Sequence, residues 1–369
     1  MRIHFCLLAS ASALVPAAAL AQETPPSDPA VVPPPAATPV ATAEGQKRIY
    51  TPADFARFAP KTAYDMLVQV PGFSIRSADQ ERGLGQASEN VLINGQRIAN
   101  KSYGGGAGGA TEELQRTPIS KVARIEIVDA ASLGIAGLSG QVANIILTET
   151  KKATGQFEWR PDFRAHFAKP RLFAGNISYS GKSGPVDYTL SVTNNTGRGG
   201  FGGPIILTDK DGNLIETRDE IYHSESDLVT FQTKFGIDGP GSSIGNLTLA
   251  YTPYWAPTHI RDDRTFATGE TRHRSTITKL DGWYYDVNAD YEFALGPGRL
   301  KLIGLRHFDH EPVITTQILH FDVDDHDEGV RFSRDSRIAE TIGRGEYHWK
   351  SGKNDWQVTF ERAFNSLDQ

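Results

Sequence analysis

The sequence after residue 152 is built from segments in which apolar and polar residues alternate. In one of them Tyr285, Val287 and Ala289 alternate with Asp286 and Asn288. A period of two predicts a β-strand with one apolar and one polar face. The segments are about ten residues long, which is the length that a tilted membrane-crossing strand needs. A soluble β-sandwich shows the same alternation, with its apolar face toward a core, so periodicity alone leaves both architectures open.

Two further features favour strands in a membrane. Aromatic residues crowd near the predicted strand ends, as in interfacial girdles: Trp159, Tyr254, Trp255, Trp283, Tyr347, Trp349 and Trp356. Short turns at residues 180–185, 238–245, 295–298 and 351–354 alternate with long charged stretches at 195–226, 257–281 and 309–335. This alternation predicts periplasmic turns and irregular outer loops. We expect about nine strands, near residues 155–164, 172–181, 186–194, 227–237, 246–256, 283–294, 299–308, 337–349 and 355–364.

The N-terminal residues 1–21 are typical of a cleaved signal peptide, with Arg2 before an apolar run and Ala19 and Ala21 at the cleavage site. The alternative, a membrane anchor, is disfavoured because Pro16 interrupts the short run. Cys6 lies inside this peptide, so the mature chain has neither a disulfide framework nor a cysteine metal site. Residues 22–47, rich in Pro, Ala, Thr and Val, predict an extended linker. A net charge of −6 gives no basic footprint for nucleic acid.

Residues 48–152 carry local signals of a mixed α+β domain. Thr62 and Asp65 form a capping box before an apolar helical face that ends at Pro71 and Gly72. Asn-Gly within residues 91–98 predicts a type I′ hairpin. Residues 119–148 predict a strand with alternating polar and apolar residues, a turn of small residues and a second strand.

These signals resemble, in order, the plug domain of TonB-dependent outer-membrane receptors. The residues that match its pattern are Asn94, Gly95, Arg124, Ile125, Glu126, Gly134, Gly140, Asn144, Ile145 and Ile146. The chain departs from the pattern at residues 128–135, where the family usually has Gly-Pro and Tyr-Gly pairs. The resemblance implies an α+β plug domain at 48–152, followed at 153–369 by antiparallel transmembrane strands of a β-barrel. It also implies the bacterial outer membrane, a small-molecule ligand, a TonB-type energising protein in the periplasm as partner, and no enzymatic activity.

Contact residues follow from the same resemblance. Arg48, Ile49, Tyr50 and Thr51 form the one short strand-like piece before the plug and are the candidate contact for the energising protein; a bland linker is the alternative. Arg97, Tyr103, Gly104, Gly105 and Gly106 are the candidate plug apex that touches substrate. Gly104, Gly106 and Gly109 also satisfy G-x-G-x-x-G, but no buried apolar strand precedes them. We therefore predict no cofactor.

One cluster of side chains is a candidate metal site. Four histidines lie among acidic residues between residues 307 and 327: His307, His310, His320 and His326. They could bind Ca²⁺ through neighbouring carboxylates or meet a metal chelate; a solvated acidic loop is the plainer alternative. The sequence has no H-E-x-x-H or Walker A motif, so neither a zinc protease nor a P-loop enzyme is indicated.

The functional prediction is energy-coupled uptake of a scarce solute, either an iron–siderophore or an oligosaccharide. A surface protein that binds without transport is the alternative. About nine strands fall short of the roughly 22 of plugged transporters, and the last residues, 364–369, lack a terminal aromatic. From this we expect an incomplete barrel and a gene fragment, which opens the third alternative of a non-functional product.

Overall fold

The computed structural model describes residues 42–44, 47–76, 90–97, 110–133, 140–148, 153–163 and 166–369. All of them lie in one compact unit, Pro39–Gln369. They form a six-stranded and a ten-stranded sheet. No helix among the described residues is both long enough and apolar enough to cross a membrane.

The first sheet and its helices make up the region that resembles a plug, called the plug region below. In chain order its elements are β1 (Thr42–Glu44), β2 (Lys47–Tyr50), α1 (Ala63–Leu67), β3 (Val91–Ile93), β4 (Gln96–Arg97), α2 (Ala110–Arg116), β5 (Val122–Asp129), α3 (Ala130–Leu133) and β6 (Gln141–Leu147), with 3₁₀ turns at Pro52–Phe58 and Ile119–Lys121. The sheet order is β1-β2-β5-β6-β3-β4. Among the described pairings of this sheet, only that of β3 with β6 is parallel. The strand β1 lies inside residues 22–47, for which the sequence predicted a linker.

Local sequence signals explain how this core forms. The amide of Asp65 donates to Thr62 Oγ1 over 3.2 Å, and the amide of Thr62 donates to Asp65 Oδ2 over 3.0 Å, so the predicted capping box starts α1. Met66 and Leu67 of this helix are fully buried with Phe55. Burial of each such side chain is worth about 1.5–3 kcal/mol. The plug region therefore has an apolar core of its own.

The second sheet contains β7 (Thr154–Trp159), β8 (Gly175–Ser183), β9 (Val186–Thr208), β10 (Leu214–Asp238), β11 (Ile244–Trp255), β12 (Thr258–Phe266), β13 (Thr271–Leu295), β14 (Gly298–Phe321), β15 (His326–Ser351) and β16 (Asn354–Asp368). Its order is β16-β15-β14-β13-β11-β10-β9-β8-β7, and β12 pairs with the far ends of β10 and β13. β11 and β12 lie on one line that is interrupted at Pro257, which has no N–H for a ladder. Each predicted strand has a counterpart, and the predicted fold class is confirmed.

The prediction of irregular outer loops was wrong. Residues 195–226, 257–281 and 309–335 consist largely of strand, and β10 and β15 reach 25 and 26 residues. Paired hairpins continue beyond the segment that a membrane requires, because cross-strand ion pairs replace apolar contacts there. Asp262 on β12, for example, is 1% exposed and pairs with Arg274 across the ladder and with Arg264 along its own strand.

The two faces of this sheet have opposite character. Phe231 is 49% exposed, whereas its neighbour Gln232 is 7% exposed. Aromatic side chains cluster on the exposed face, where Trp283, Tyr285 and Phe308 contact one another. The polar face is covered in part by the plug region. Among the described residues β7 and β16 each pair along one side only, so the sheet is open.

Candidate functional site

The candidate site lies where α2 meets the polar face of the second sheet. Arg116 Nη1 donates to Gln232 Oε1 over 2.8 Å and Arg116 Nε donates to Thr193 Oγ1 over 3.3 Å. The side chain of Gln156 donates back to the carbonyl oxygen of Arg116 over 3.2 Å. A single helical residue of the plug region thus contacts β7, β9 and β10.

An ion pair between Glu113 on α2 and Lys234 on β10 forms the second contact. Their side chains are 19% and 24% exposed. Burial alone would raise the pKa of the Glu113 carboxyl, but the ammonium of Lys234, with Arg116 and Lys121 nearby, outweighs burial and holds that pKa below its ordinary value. Glu113 is therefore ionised at neutral pH and held by its partner.

A polar cavity of about 510 Å³ adjoins this pair. The plug region contributes Asn94, Glu113 and Lys121 to its wall, and the sheet contributes residues of β8, β9, β10, β11 and β13. Several charged groups of the wall are paired: Lys182 Nζ lies 3.1 Å from an Asp187 carboxylate oxygen and 2.9 Å from one of Asp238, and a carboxylate oxygen of Asp290 lies 3.3 Å from Lys301 Nζ. The cavity lies near the short turns, because Lys182 and Asp238 border two of them.

The predicted plug residues Asn94, Gly95 and Asn144 hold two strands in register. Asn94 and Gly95 have φ of 51° and 76°, as a type I′ turn requires. The amide of Gly95 donates to Asn144 Oδ1 over 2.8 Å, and the amide of Leu147 donates to Asn94 Oδ1 over 2.8 Å. The two asparagines thus link the hairpin to β6 reciprocally.

Three other predicted plug residues have different surroundings. Arg124 Nε lies 2.7 Å from a Glu126 carboxylate oxygen, and Lys47 Nζ lies 3.8 Å from the other one. Gly140 has φ of 66° and accepts a hydrogen bond from the amide of Ala130 over 2.8 Å. Gly134 lies outside the described residues.

The predicted contact for the energising protein is an interior strand of the plug sheet. Arg48 and Ile49 lie in β2, which pairs with β1 on one side and β5 on the other. Arg48 Nη1 donates to the carbonyl oxygen of Pro71 over 3.0 Å. Tyr50 is 2% exposed in the core, and Thr51 caps the turn that follows. As for the predicted substrate contact, Arg97 lies in β4, while Tyr103, Gly104, Gly105 and Gly106 lie outside the described residues.

The four clustered histidines do not converge on one site. His307 lies 2.7 Å from a carboxylate oxygen of Asp286, and His310 lies 2.7 Å from one of Asp335. His320 lies ten residues beyond His310 on the same strand, which corresponds to about 33 Å. No group of three or more His, Cys, Asp or Glu side chains in the described part of the chain has a geometry suited to a metal ion.

A smaller cluster near the far end of the sheet escaped sequence analysis. His273 lies 2.6 Å from a carboxylate oxygen of Asp263 and 3.3 Å from one of Asp322. Its ring stacks on His320, with centroids 6.1 Å apart. The hydrogen bond to Asp263 and the charge of Asp322 raise the pKa of His273. The pairing of β13 with β12 on one side and with β14 on the other brings these residues together, and no local signal predicted it.

Comparison with known proteins identifies the plug region. Residues 39–140 match the family model for the TonB-dependent Receptor Plug Domain. No curated protein matches this sequence. Among solved structures, the ferripyoverdine receptor of the outer membrane of Pseudomonas aeruginosa matches at 10% identity and a TM-score of 0.31, over 90% of this chain and 52% of the receptor. The copper transporter OprC matches at 8% identity and a TM-score of 0.31, over 88% of this chain and 56% of that one. The alcaligin receptor FauA from Bordetella pertussis matches at 10% identity and a TM-score of 0.24, over 82% and 62%.

The α+β plug region contacts the polar face of the antiparallel sheet, in agreement with the predicted fold class. Residues 39–140 match the plug domain of TonB-dependent receptors, and the resemblance seen in the sequence is confirmed over these residues. The predicted location in the bacterial outer membrane is confirmed with it. The chain spans about half the length of the first solved receptors that it matches.

Proposed function

We propose that this chain serves energy-coupled uptake of a scarce small solute across the bacterial outer membrane. The observation that carries the proposal is the polar contact between α2 and the sheet. Glu113, Arg116, Lys234 and Gln232 make hydrogen bonds and an ion pair there, and water can replace such bonds at a small net cost of about 1 kcal/mol each. A plug held in this way can leave its seat without exposing its own apolar core.

The arrangement of β1 and β2 supports a link to a periplasmic energising protein of the TonB type. An added strand binds through main-chain hydrogen bonds and needs a free strand edge. Both edges of β2 are occupied, by β1 and β5. We infer that Arg48, Ile49, Tyr50 and Thr51 become accessible when β1 is displaced. Withdrawal of Tyr50 from the core then transmits the pull to the plug.

The proposed ligand is an iron–siderophore or an oligosaccharide, and the proposed contacts are Arg97, Tyr103, Gly104, Gly105 and Gly106. Outer-membrane lipid surrounds the apolar face of the sheet. These assignments follow from the plug family rather than from a bound ligand.

The proposal is tested by measuring solute uptake and surface binding in a deletion strain to which the gene has been restored. Labelled iron chelates and oligosaccharides are supplied, and Ile49→Pro, which removes a strand N–H, is compared with the control Ile49→Val. We expect Ile49→Pro to retain surface binding and lose uptake, while Ile49→Val retains both. Equal uptake by both variants would instead favour a surface protein that binds without transport.

A further inference from the structure

Two arginines on the exposed face of the second sheet lack the carboxylate partners that other arginines of this region have. Arg306 on β14 and Arg362 on β16 face outward. Leu305, next to Arg306, and Ala363, next to Arg362, both pair with Ile342, and Leu305 and Ile342 are 4% and 1% exposed on the opposite face. Arg306 Nη1 donates to Thr341 Oγ1 over 2.6 Å. Within the described residues neither guanidinium forms an ion pair.

Neighbouring arginines, by contrast, do have carboxylate partners. Arg337, on the same face of β15, lies 3.1 Å from a carboxylate oxygen of Asp335 and 3.8 Å from one of Asp368. Arg344, on the polar face, pairs with Glu346 and Glu361 at 2.6 and 3.3 Å. A charge on a lipid-facing surface is costly unless it reaches the interface or meets an opposite charge.

The strand register places the two guanidinium groups diagonally across β15. Arg306 pairs with Thr341, while Arg362 pairs with Gly343. Two strand spacings and a two-residue offset put their Cα atoms about 12 Å apart. Extended arginine side chains from both positions can therefore reach one anion above Thr341 and Gly343.

The surface beside this pair is indented. Gly304 and Gly343 pair with each other on the exposed face, and a Cβ added at either would meet nothing within 4 Å. On the side of the short turns, the next outward-facing residues are Leu302 on β14 and Phe360 on β16, which are 48% and 73% exposed. Phe308, the next outward residue above Arg306, belongs to the aromatic cluster of the exposed face. The arginines therefore lie beside an aromatic girdle, with an apolar channel leading away from them.

We propose that Arg306 and Arg362 bind the phosphate head group of a membrane lipid whose acyl chain lies over Gly304 and Gly343. A guanidinium donates two parallel hydrogen bonds to phosphate oxygens, which suits it to this anion better than an ammonium. The aromatic girdle sets the depth of the head group, and the glycines leave room for the chain. Thr341 orients the Arg306 guanidinium.

Native mass spectrometry of the full chain in detergent tests this site. The chain is titrated with phosphatidic acid, with diacylglycerol of the same acyl chains and with inorganic phosphate. We expect phosphatidic acid to bind more tightly than either. Arg306→Gln combined with Arg362→Gln weakens its binding about tenfold or more, as expected for loss of charged hydrogen bonds. The matched control Arg337→Gln, whose guanidinium is already paired, changes binding less than about twofold.

Three results would overturn the proposal: equal binding by the double variant and the wild-type chain, an equal loss in Arg337→Gln, or equal affinity for inorganic phosphate and phosphatidic acid. Gly343→Leu separates the acyl channel from the charge, because it fills the channel and leaves both arginines. It should lower the affinity for phosphatidic acid toward that for phosphate. If the double variant does not fold, Arg362→Gln alone, on the exposed edge strand, provides the comparison.

Discussion

Removal of the Lys234 ammonium is expected to loosen the plug from its seat. In Lys234→Met the Glu113 carboxylate keeps its partly buried position but loses its partner. Exposed ion pairs contribute about 0–1 kcal/mol and breaking a buried one costs about 3–5 kcal/mol. With side chains 19% and 24% exposed, the pair lies between these limits, so we expect a cost of about 2 kcal/mol.

The destabilisation caused by Lys234→Met should depend on pH in a direction that the pKa of Glu113 determines. The pKa of Glu113 is lowered in the folded wild-type chain, so its contribution is present above the ordinary value of 4.5 and is lost as pH falls through the lowered pKa. In Lys234→Met the largest lowering influence is gone, and burial then raises the Glu113 pKa. The variant should therefore be weakest at neutral pH, and its deficit should shrink on acidification as Glu113 becomes neutral.

Hydrogen exchange of α2, in chain reconstituted into lipid vesicles, measures this loosening. A cost of 2 kcal/mol corresponds to about thirtyfold faster exchange through local opening. Glu113→Gln combined with Lys234→Met should recover most of the protection, because no charge is left unpaired. Lys182→Met, which alters another lysine of the same cavity wall, is the matched control and should leave α2 unchanged. Unchanged exchange in Lys234→Met, or simple additivity in the double variant, would refute the reasoning.

Three further predictions concern the signal peptide, which lies outside the described residues, the two faces of the sheet and His273. Mass spectrometry of outer-membrane fractions should find a mature chain that begins after Ala21, and a chain that retains residue 1 would contradict the signal peptide. Val287→Arg on the exposed face should cost about 2–4 kcal/mol in vesicles if it lies near the midplane, and Asn288→Arg toward the polar cavity should cost less; equal denaturation midpoints would contradict the assignment of faces. The hydrogen bond to Asp263 raises the pKa of His273. The stabilisation that protonated His273 contributes to the fold is therefore full below pH 6.5 and is lost as pH rises through the raised pKa. Hydrogen exchange of the amides near His273 should increase over that pH window, and His273→Asn should abolish this pH dependence.

Strands in the second sheet were predictable from the sequence only where their two faces differ in hydrophobicity. Between residues 283 and 294 apolar and polar residues alternate, and that stretch was assigned as a strand. Its continuation, residues 271–281, pairs with β12 and β14 in the same way, but both faces carry polar residues there. A period of two is visible only as a contrast in hydrophobicity, so these extensions were assigned as loops.

The plug was predictable because its signals are local. The capping box at Thr62 and the turn at Asn94 each lie within a few residues of chain and formed as expected. The seat of the plug was not predictable by the same means. Glu113 meets Lys234 over a separation of 121 residues, and Arg116 meets Gln232 over 116. Nothing in the composition of α2 distinguishes these side chains from the solvated face of a short helix.

The distribution of exposure decides between the two architectures that periodicity left open. In a soluble sandwich Phe157, Phe231 and Phe360 would be buried, but they are 75%, 49% and 73% exposed. On the opposite face Thr252 and Gln232 are 0% and 7% exposed. Each large apolar side chain left in water forfeits about 1.5–3 kcal/mol, and this face carries many of them. Contact with lipid would stabilise a surface of this kind, and the opposite, polar face is the one that contacts α2 of the plug region.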